Sequence, residues 1–294
     1  MSVKQLGYLI FECRADVLEQ MVVVYQDIIG AVVERDEGGR ALVRLDGRPF
    51  RIRLDPGPAN RLAAIGWNVD PSDLAAIAEQ VEKACYSVVT ADAELAADRA
   101  AAQVRQFADN DGFTHELYVE SSFPTDPVLE SLFVCGEEAN GIFGLGHLVV
   151  IVADRAKTQS FFTDVLGFGL SDRVTWPEAD IFFLHCNQRH HTVALSAPAL
   201  GLKPGMVHHL MLEAKSKEQV DRAFAAVKRL GYDVLMTIGQ HSNDKVYSFY
   251  MMAPAGFAVE LGFGGQVIGD LESWHVGFYD APSIWGHELQ LPAH

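Results

Sequence analysis

Basic residues are scarce in this chain: 23 lysines and arginines face 39 aspartates and glutamates among 294 residues, a formal net charge of −16. That sign repels phosphate backbones and anionic lipid, so nucleic acid and membrane surfaces are excluded as partners recruited by the net field. Long apolar runs are missing too. Met21–Tyr25 is short and Ile142–Ala153 is broken by His147, so neither reaches the ~20 residues of a membrane span. Met1–Tyr8 lacks a charged region followed by an apolar core, which predicts a cytoplasmic location. Cysteine is sparse: Cys13, Cys85, Cys135 and Cys186 form no Cys-x-x-Cys pair, which argues for reduced thiols and against a structural zinc site. Histidine is absent before His115, whereas ten of the eleven lie from His147 onward. The two halves therefore differ in chemistry.

What is present is globular. Apolar residues make up 49% and charged residues 21%, and the length suits two domains. Internal repetition is visible. Leu6-Gly7-Tyr8-Leu9 followed by Asp27-Ile28-Ile29-Gly30 parallels Leu145-Gly146-His147-Leu148 followed by Asp164-Val165-Leu166-Gly167. Asp111–Leu117 likewise parallels Ala255–Leu261. Each half divides again into a strand, a helix and about three strands. In the second half, Gly146–Val152 reads as a strand leading into a helix from about Asp154 to Leu166, stopped by Gly167. Ile181–Cys186 and Thr192–Ser196 read as strands. The next unit opens at Val207–Leu212 and runs into a helix with a Ser216/Gln219 capping box, an apolar stripe through Val220, Ala223, Phe224, Val227 and Leu230, and a stop at Gly231. Val246–Met251 and Phe257–Gly262 then form a hairpin pattern around Ala253–Gly256. The expectation is an α+β fold of four such units in two similar domains, residues 1–135 and 136–294. A linker falls within 121–140, and a terminal wrap runs from Asp270.

Three residues at the starts and ends of second-half strands suit one metal: His147, His209 and Glu260. Two imidazoles and a carboxylate on one face leave several coordination positions open, the arrangement of ferrous iron sites that take substrate and dioxygen together. Singly, each has a plainer reading. His147 on an apolar strand suits a hydrogen-bonded core histidine, and strand alternation lets only one of His208 and His209 enter a site. Glu260 between Val259 and Leu261 is harder to dismiss, because a buried carboxylate needs a cation or donor. In the repeat, Tyr8 stands opposite His147, Gly66-Trp67 opposite His208-His209 and Glu116 opposite Glu260. The first half is therefore expected to bind no metal.

Between Gly239 and Glu260 the chain carries His241, the pair Phe249-Tyr250, Pro254, Gly256 and the closing Glu260. This stretch resembles the signature of the type I extradiol ring-cleavage dioxygenases, a family of the vicinal oxygen chelate superfamily. Gly144–His147, Asn187–His191, His208–Glu213 and Trp285–His287 resemble the same family, in order and across essentially the whole chain. The likeness is greatest to members that open 2,3-dihydroxybiphenyl, dibenzofuran-pathway enzymes for 2,2′,3-trihydroxybiphenyl included. It implies four βαβββ units, with the site inside a funnel-like half-open barrel. It implies Fe(II) on His147, His209 and Glu260, with Mn(II) second, and a small catechol and O2 as the molecules bound. His191 matches the family's acid–base residue, while His241 and Tyr250 match groups that hydrogen-bond substrate or oxygen. Asn243 and Asp244 are expected to position His241 or Tyr250 beside the substrate; Phe183 matches the family's pocket position, with Val149 and Pro282 suited to line an apolar pocket for a second ring, while Phe182 would face away. Relatives are often homo-oligomers. Other catechols, 1,2-dihydroxynaphthalene among them, and the metal-dependent isomerases and lyases of the same fold remain the alternatives.

Overall fold

The computed structural model describes residues 2–199 and 201–290. Its first half builds one sheet from β1 (Gln5–Cys13), β2 (Val32–Arg35), β3 (Ala41–Arg44), β4 (Ile52–Pro56), β5 (Arg61–Asn68), β6 (Val89–Thr90), β7 (Ala101–Ala108) and β8 (Thr114–Glu120), in the order β2-β3-β4-β1-β5-β8-β7-β6. A short hairpin, β9 (Glu137–Glu138) and β10 (Gly141–Ile142), precedes the second sheet. That sheet contains β11 (His147–Ile151), β12 (Gly169–Trp176), β13 (Ala179–His185), β14 (Val193–Ser196), β15 (Val207–Ala214), β16 (Val234–His241), β17 (Tyr247–Met252), β18 (Ala258–Phe263), β19 (Gly277–Tyr279) and β20 (Ser283–Gly286).

The pairing explains the four-unit pattern. The opening strand of each unit lies parallel to that unit's closing strand: β1 with β4, β5 with β8, β11 with β14, and β15 with β18. The two units of each half then join antiparallel through β1–β5 and β11–β15. In the second half the order is β19-β12-β13-β14-β11-β15-β18-β17-β16-β20. Laid flat, ten strands would put the edges about 43 Å apart, yet β19 and β20 are joined only by Asp280, Ala281 and Pro282. A span from Tyr279 to Ser283 covers at most ~14 Å. The sheet must curl into a cup.

Alternation decides what faces the cup. On β11 and β15, Leu148, Val150, Leu210 and Leu212 join the main apolar core, as do Val259 and Leu261 on β18. The intervening His147, Val149, His209, Met211 and Glu260 are turned to the other face. Gly146 has φ +148°, and a Cβ there would stand 2.0 Å from the Met211 carbonyl oxygen. Only glycine lets β11 start so close to β15, which accounts for the glycine before His147.

Helix Lys217–Leu230 starts on the Ser216 hydroxyl, which accepts from the Gln219 amide, and ends at Gly231 with φ +76°. The segment expected as a single helix over 154–166 is α-helical only at Arg155–Ser160 and widens to a π-helix at Phe161–Val165. The first half repeats this device, with Ala15–Val23 passing into a π-helix at Val24–Ile29. A widened turn leaves no mark on apolar spacing, but its recurrence supports the duplication. The halves meet through stacked rings of Phe11 and Phe257, 4.6 Å between centroids, and through the Leu145 amide donating to the Leu6 carbonyl at 2.8 Å.

Strand register corrects the repeat alignment. Met211 pairs with Glu260 and with His147, whereas Gly66 pairs with Glu116 and with Tyr8. Gly66 is therefore the counterpart of Met211, and His209 corresponds to Ala64, three residues before the expected Trp67. The terminal stretch also differs from the expected wrap, because β19 and β20 complete the sheet.

Candidate metal centre

β11, β15 and β18 are neighbours in the sheet, and their His147, His209 and Glu260 converge inside the cup. Nε2 of His147 and Nε2 of His209 are 3.1 Å apart, and each lies 3.4 Å from Oε2 of Glu260. A triangle with such edges is what adjacent donors form around one divalent ion at about 2.1 Å. All three residues are buried, and Glu260 Oε2 has no hydrogen-bond partner. Burial would raise the Glu260 carboxyl, yet the imidazoles of His147 and His241 hold it well below the carboxylate range. Burial and then His208 push His209 well below the usual imidazole value, leaving it neutral and able to ligate. The donor set fits a divalent ion of the iron or manganese kind, and the chemistry of a single facial carboxylate with two imidazoles fits ferrous iron.

His241, at the end of β16, is held at both nitrogens. Nδ1 donates to the Pro282 carbonyl at 3.0 Å, while Nε2 lies 2.7 Å from the Tyr250 hydroxyl and 3.3 Å from Oε1 of Glu260. Burial opposes its charge, but Glu260, Asp244 and the Pro282 carbonyl raise it to about 9. Tyr250 is raised well above its ordinary value, by burial and then by Glu260, so its hydroxyl keeps its proton. His287 packs against His241 with centroids 4.2 Å apart and the rings tilted by 39°, and is fixed between Ser283 and Ser248.

His191 follows β13 on the loop into β14, its ring 3.9 Å from that of His147 between centroids. Its Nε2 is buried without a partner. Burial, reinforced by His147 and His190, pushes it well below the ordinary value, so it is neutral and can accept a proton. His190 turns the other way, bringing Nε2 to 2.7 Å from Oδ2 of Asp172, and its Nδ1 lies 3.3 Å from Nδ1 of His191.

A cavity of about 340 Å³ opens over these groups, within the size range of small-molecule sites. Its wall includes His147, His209, His191, His241 and Tyr250, together with Asn243, Asp244, Phe183, Val149 and Pro282. Phe182 lies off the wall, packed on the main core beneath the guanidinium groups of Arg155 and Arg173.

One expectation is overturned. His208 lines the cavity together with His209. Val149 pairs with His209 and Val150 with Val207, so residue 208 is the extra residue of a β-bulge. A bulge suspends strict alternation and re-aims a side chain, which no strand pattern in the sequence announces. Nor does the sequence announce the packing of His287 against His241 or the His190–Asp172 contact. The Trp285-Gly286-His287 stretch was the available signal for the former.

Residues 144–261 match the family model described as Glyoxalase/Bleomycin resistance protein/Dioxygenase superfamily. The chain is 37% identical to biphenyl-2,3-diol 1,2-dioxygenase of Paraburkholderia xenovorans, over 98% of this chain and 96% of that protein. It is 31% identical to the iron-dependent extradiol dioxygenase of Rhodococcus jostii, over 90% of each. Among solved structures, BphC, a halotolerant catechol dioxygenase, superposes with a TM-score of 0.84 at 31% identity, covering 98% of this chain and 95% of that one.

Proposed function

The chain belongs to the Glyoxalase/Bleomycin resistance protein/Dioxygenase superfamily, among its extradiol ring-cleaving dioxygenases, and on that premise we propose that its second half opens aryl-substituted catechols at Fe(II) held by His147, His209 and Glu260. The observation that carries this reading is the triangle of three buried donors, 3.1–3.4 Å apart, of which His147 and His209 line a largely apolar cavity. A ferrous ion held by these three residues would supply a centre able to bind a catechol together with O2 and to mediate electron flow between them. The iron-dependent Rhodococcus relative supports that choice of metal.

The protein's own groups manage protons and fit. Neutral His191, with a free buried Nε2 beside His147, takes the proton that a catechol hydroxyl must lose, then returns it when the O–O bond breaks. Tyr250 keeps its hydroxyl proton and presents it beside Glu260 and His241, where it steadies the deprotonated catechol oxygen. Asn243 and Asp244 form part of the wall beside His241, and Val149, Phe183 and Pro282 give the second ring an apolar surface. Both atoms of O2 enter the product. The bond cleaved joins the hydroxylated carbon to the aryl-bearing one, giving a yellow dienoate. The biphenyl-diol relative favours a bicyclic catechol. A cytoplasmic site of action and self-association belong to the same proposal; among the described residues no helix is long and apolar enough to cross a membrane.

Oxygen uptake by iron-reconstituted protein on 2,3-dihydroxybiphenyl, 2,2′,3-trihydroxybiphenyl, 1,2-dihydroxynaphthalene and catechol tests the reading. One O2 consumed per ring opened, with a yellow product, is expected for the biphenyls. No uptake from any of the four by fully loaded protein would overturn it.

A further inference from the structure

The bulge that brings His208 to the cavity also sets its hydrogen. Nε2 of His209 faces Glu260 and His147, so as the ligand nitrogen it carries a lone pair, and its hydrogen sits on Nδ1. Nδ1 of His208 lies 2.7 Å from that Nδ1. One of these two nitrogens must accept, and it is His208's. His208 is therefore neutral, with its own hydrogen on Nε2 at the opposite edge of the ring. Among the described residues no acceptor takes that hydrogen; the only hydrogen-bond contact of the His208 side chain is the one to His209. Away from the metal donors the wall is largely apolar, with Val174, Ile181, Leu235 and Met236. An unpartnered donor in such a wall is an element of recognition, because a ligand that leaves it unmatched forfeits the hydrogen bond it made to water.

The geometry points to His208 as a specificity-determining residue whose Nε2–H donates to an oxygen on the second ring of the substrate, ortho to the bond joining the rings. The ortho position follows from place. His208 stands 5.0 Å from His209 between centroids, at the metal end of the cavity, beyond reach of an oxygen at the far end of a biaryl. The inference rests on the dioxygenase reading and names within it the substrate class: catechols bearing an oxygenated aryl group.

The test compares dissociation constants measured without oxygen, by calorimetry on iron-loaded protein, for 2,2′,3-trihydroxybiphenyl and 2,3-dihydroxybiphenyl. The triol is expected to bind roughly three- to tenfold more tightly, the range of one neutral hydrogen bond. His208→Phe should bring the ratio to about one, while His208→Gln, which keeps a donor near the Nε2 position, should preserve most of it. A ratio near one in the unmodified protein overturns the inference without any variant having to fold. A ratio that survives His208→Phe does the same. So does loss of iron from that variant with the ratio intact, which would make His208 a support of His209 alone. Should neither compound elicit oxygen uptake while the binding ratio behaves as expected, the dioxygenase reading fails and the His208 contact stands.

Discussion

The guanidinium of Arg99 grips both carboxylate oxygens of Glu116, at 2.8 and 3.0 Å, in the first-half position that Glu260 holds in the second. Tyr8, the counterpart of His147, donates its hydroxyl to the same carboxylate at 2.5 Å, and Gln106 adds a hydrogen bond at 2.7 Å. The first half thus answers its buried carboxylate with a built-in cation where the second half offers a place for a metal. One iron per chain is expected by elemental analysis. Arg99→Leu should lower unfolding stability by about 3–5 kcal/mol, because it strands a buried charge, and a melt unchanged from the unmodified protein would contradict this.

His209→Ala should abolish iron retention while leaving the fold. The alanine removes one of three donors, and the remaining pair holds Fe(II) poorly. Metal content after dialysis against a weak chelator, with circular dichroism alongside, checks it; full occupancy would remove His209 from the ligand set.

His191→Gln should keep iron and bind catechol but lose turnover by two to four orders of magnitude, on the order of a general acid–base contribution. Single-turnover kinetics with anaerobically bound 2,3-dihydroxybiphenyl separates binding from chemistry. An unaltered rate would deny His191 the proton.

Acid should destabilise the iron-free protein through two histidines kept neutral. Burial and then His190 push His185 to about 4, while burial and then His241 push His287 to about 4. Both are depressed below the unfolded value near 6.5, so their contribution is complete above pH 6.5 and is lost as pH falls through 4. Each accounts for at most about 3 kcal/mol. Urea midpoints measured from pH 7 to pH 4 should fall, and less so in His185→Gln; a flat profile would argue against neutral burial.

Much of the site could be read from residues because strand alternation is strict where it matters. Glu260 between Val259 and Leu261, and His147 before Leu148, broke apolar patterns that the core explains. The four-unit plan was legible for the same reason, in recurring strand and helix signals with glycine stops. His208 was not, since a bulge is decided by how β15 packs against β11 and not by the residue types on either strand. The repeat alignment slipped by three because Ala64 retains nothing of His209, and only hydrogen-bond register fixes the correspondence. β19 and β20 escaped notice because three- and four-residue strands carry too little periodicity to separate from loop.

Asp280, Ala281 and Pro282 draw the two rims of the second sheet together, and Pro282 fixes His241 and Ser242 through its carbonyl oxygen. All three candidate ligands precede that span in the chain. Translation therefore delivers the donors before their enclosure: a nascent polypeptide stopped short of Asp280 would hold its imidazoles in an open trough, and biosynthetic order makes competence arrive only once that stretch has emerged.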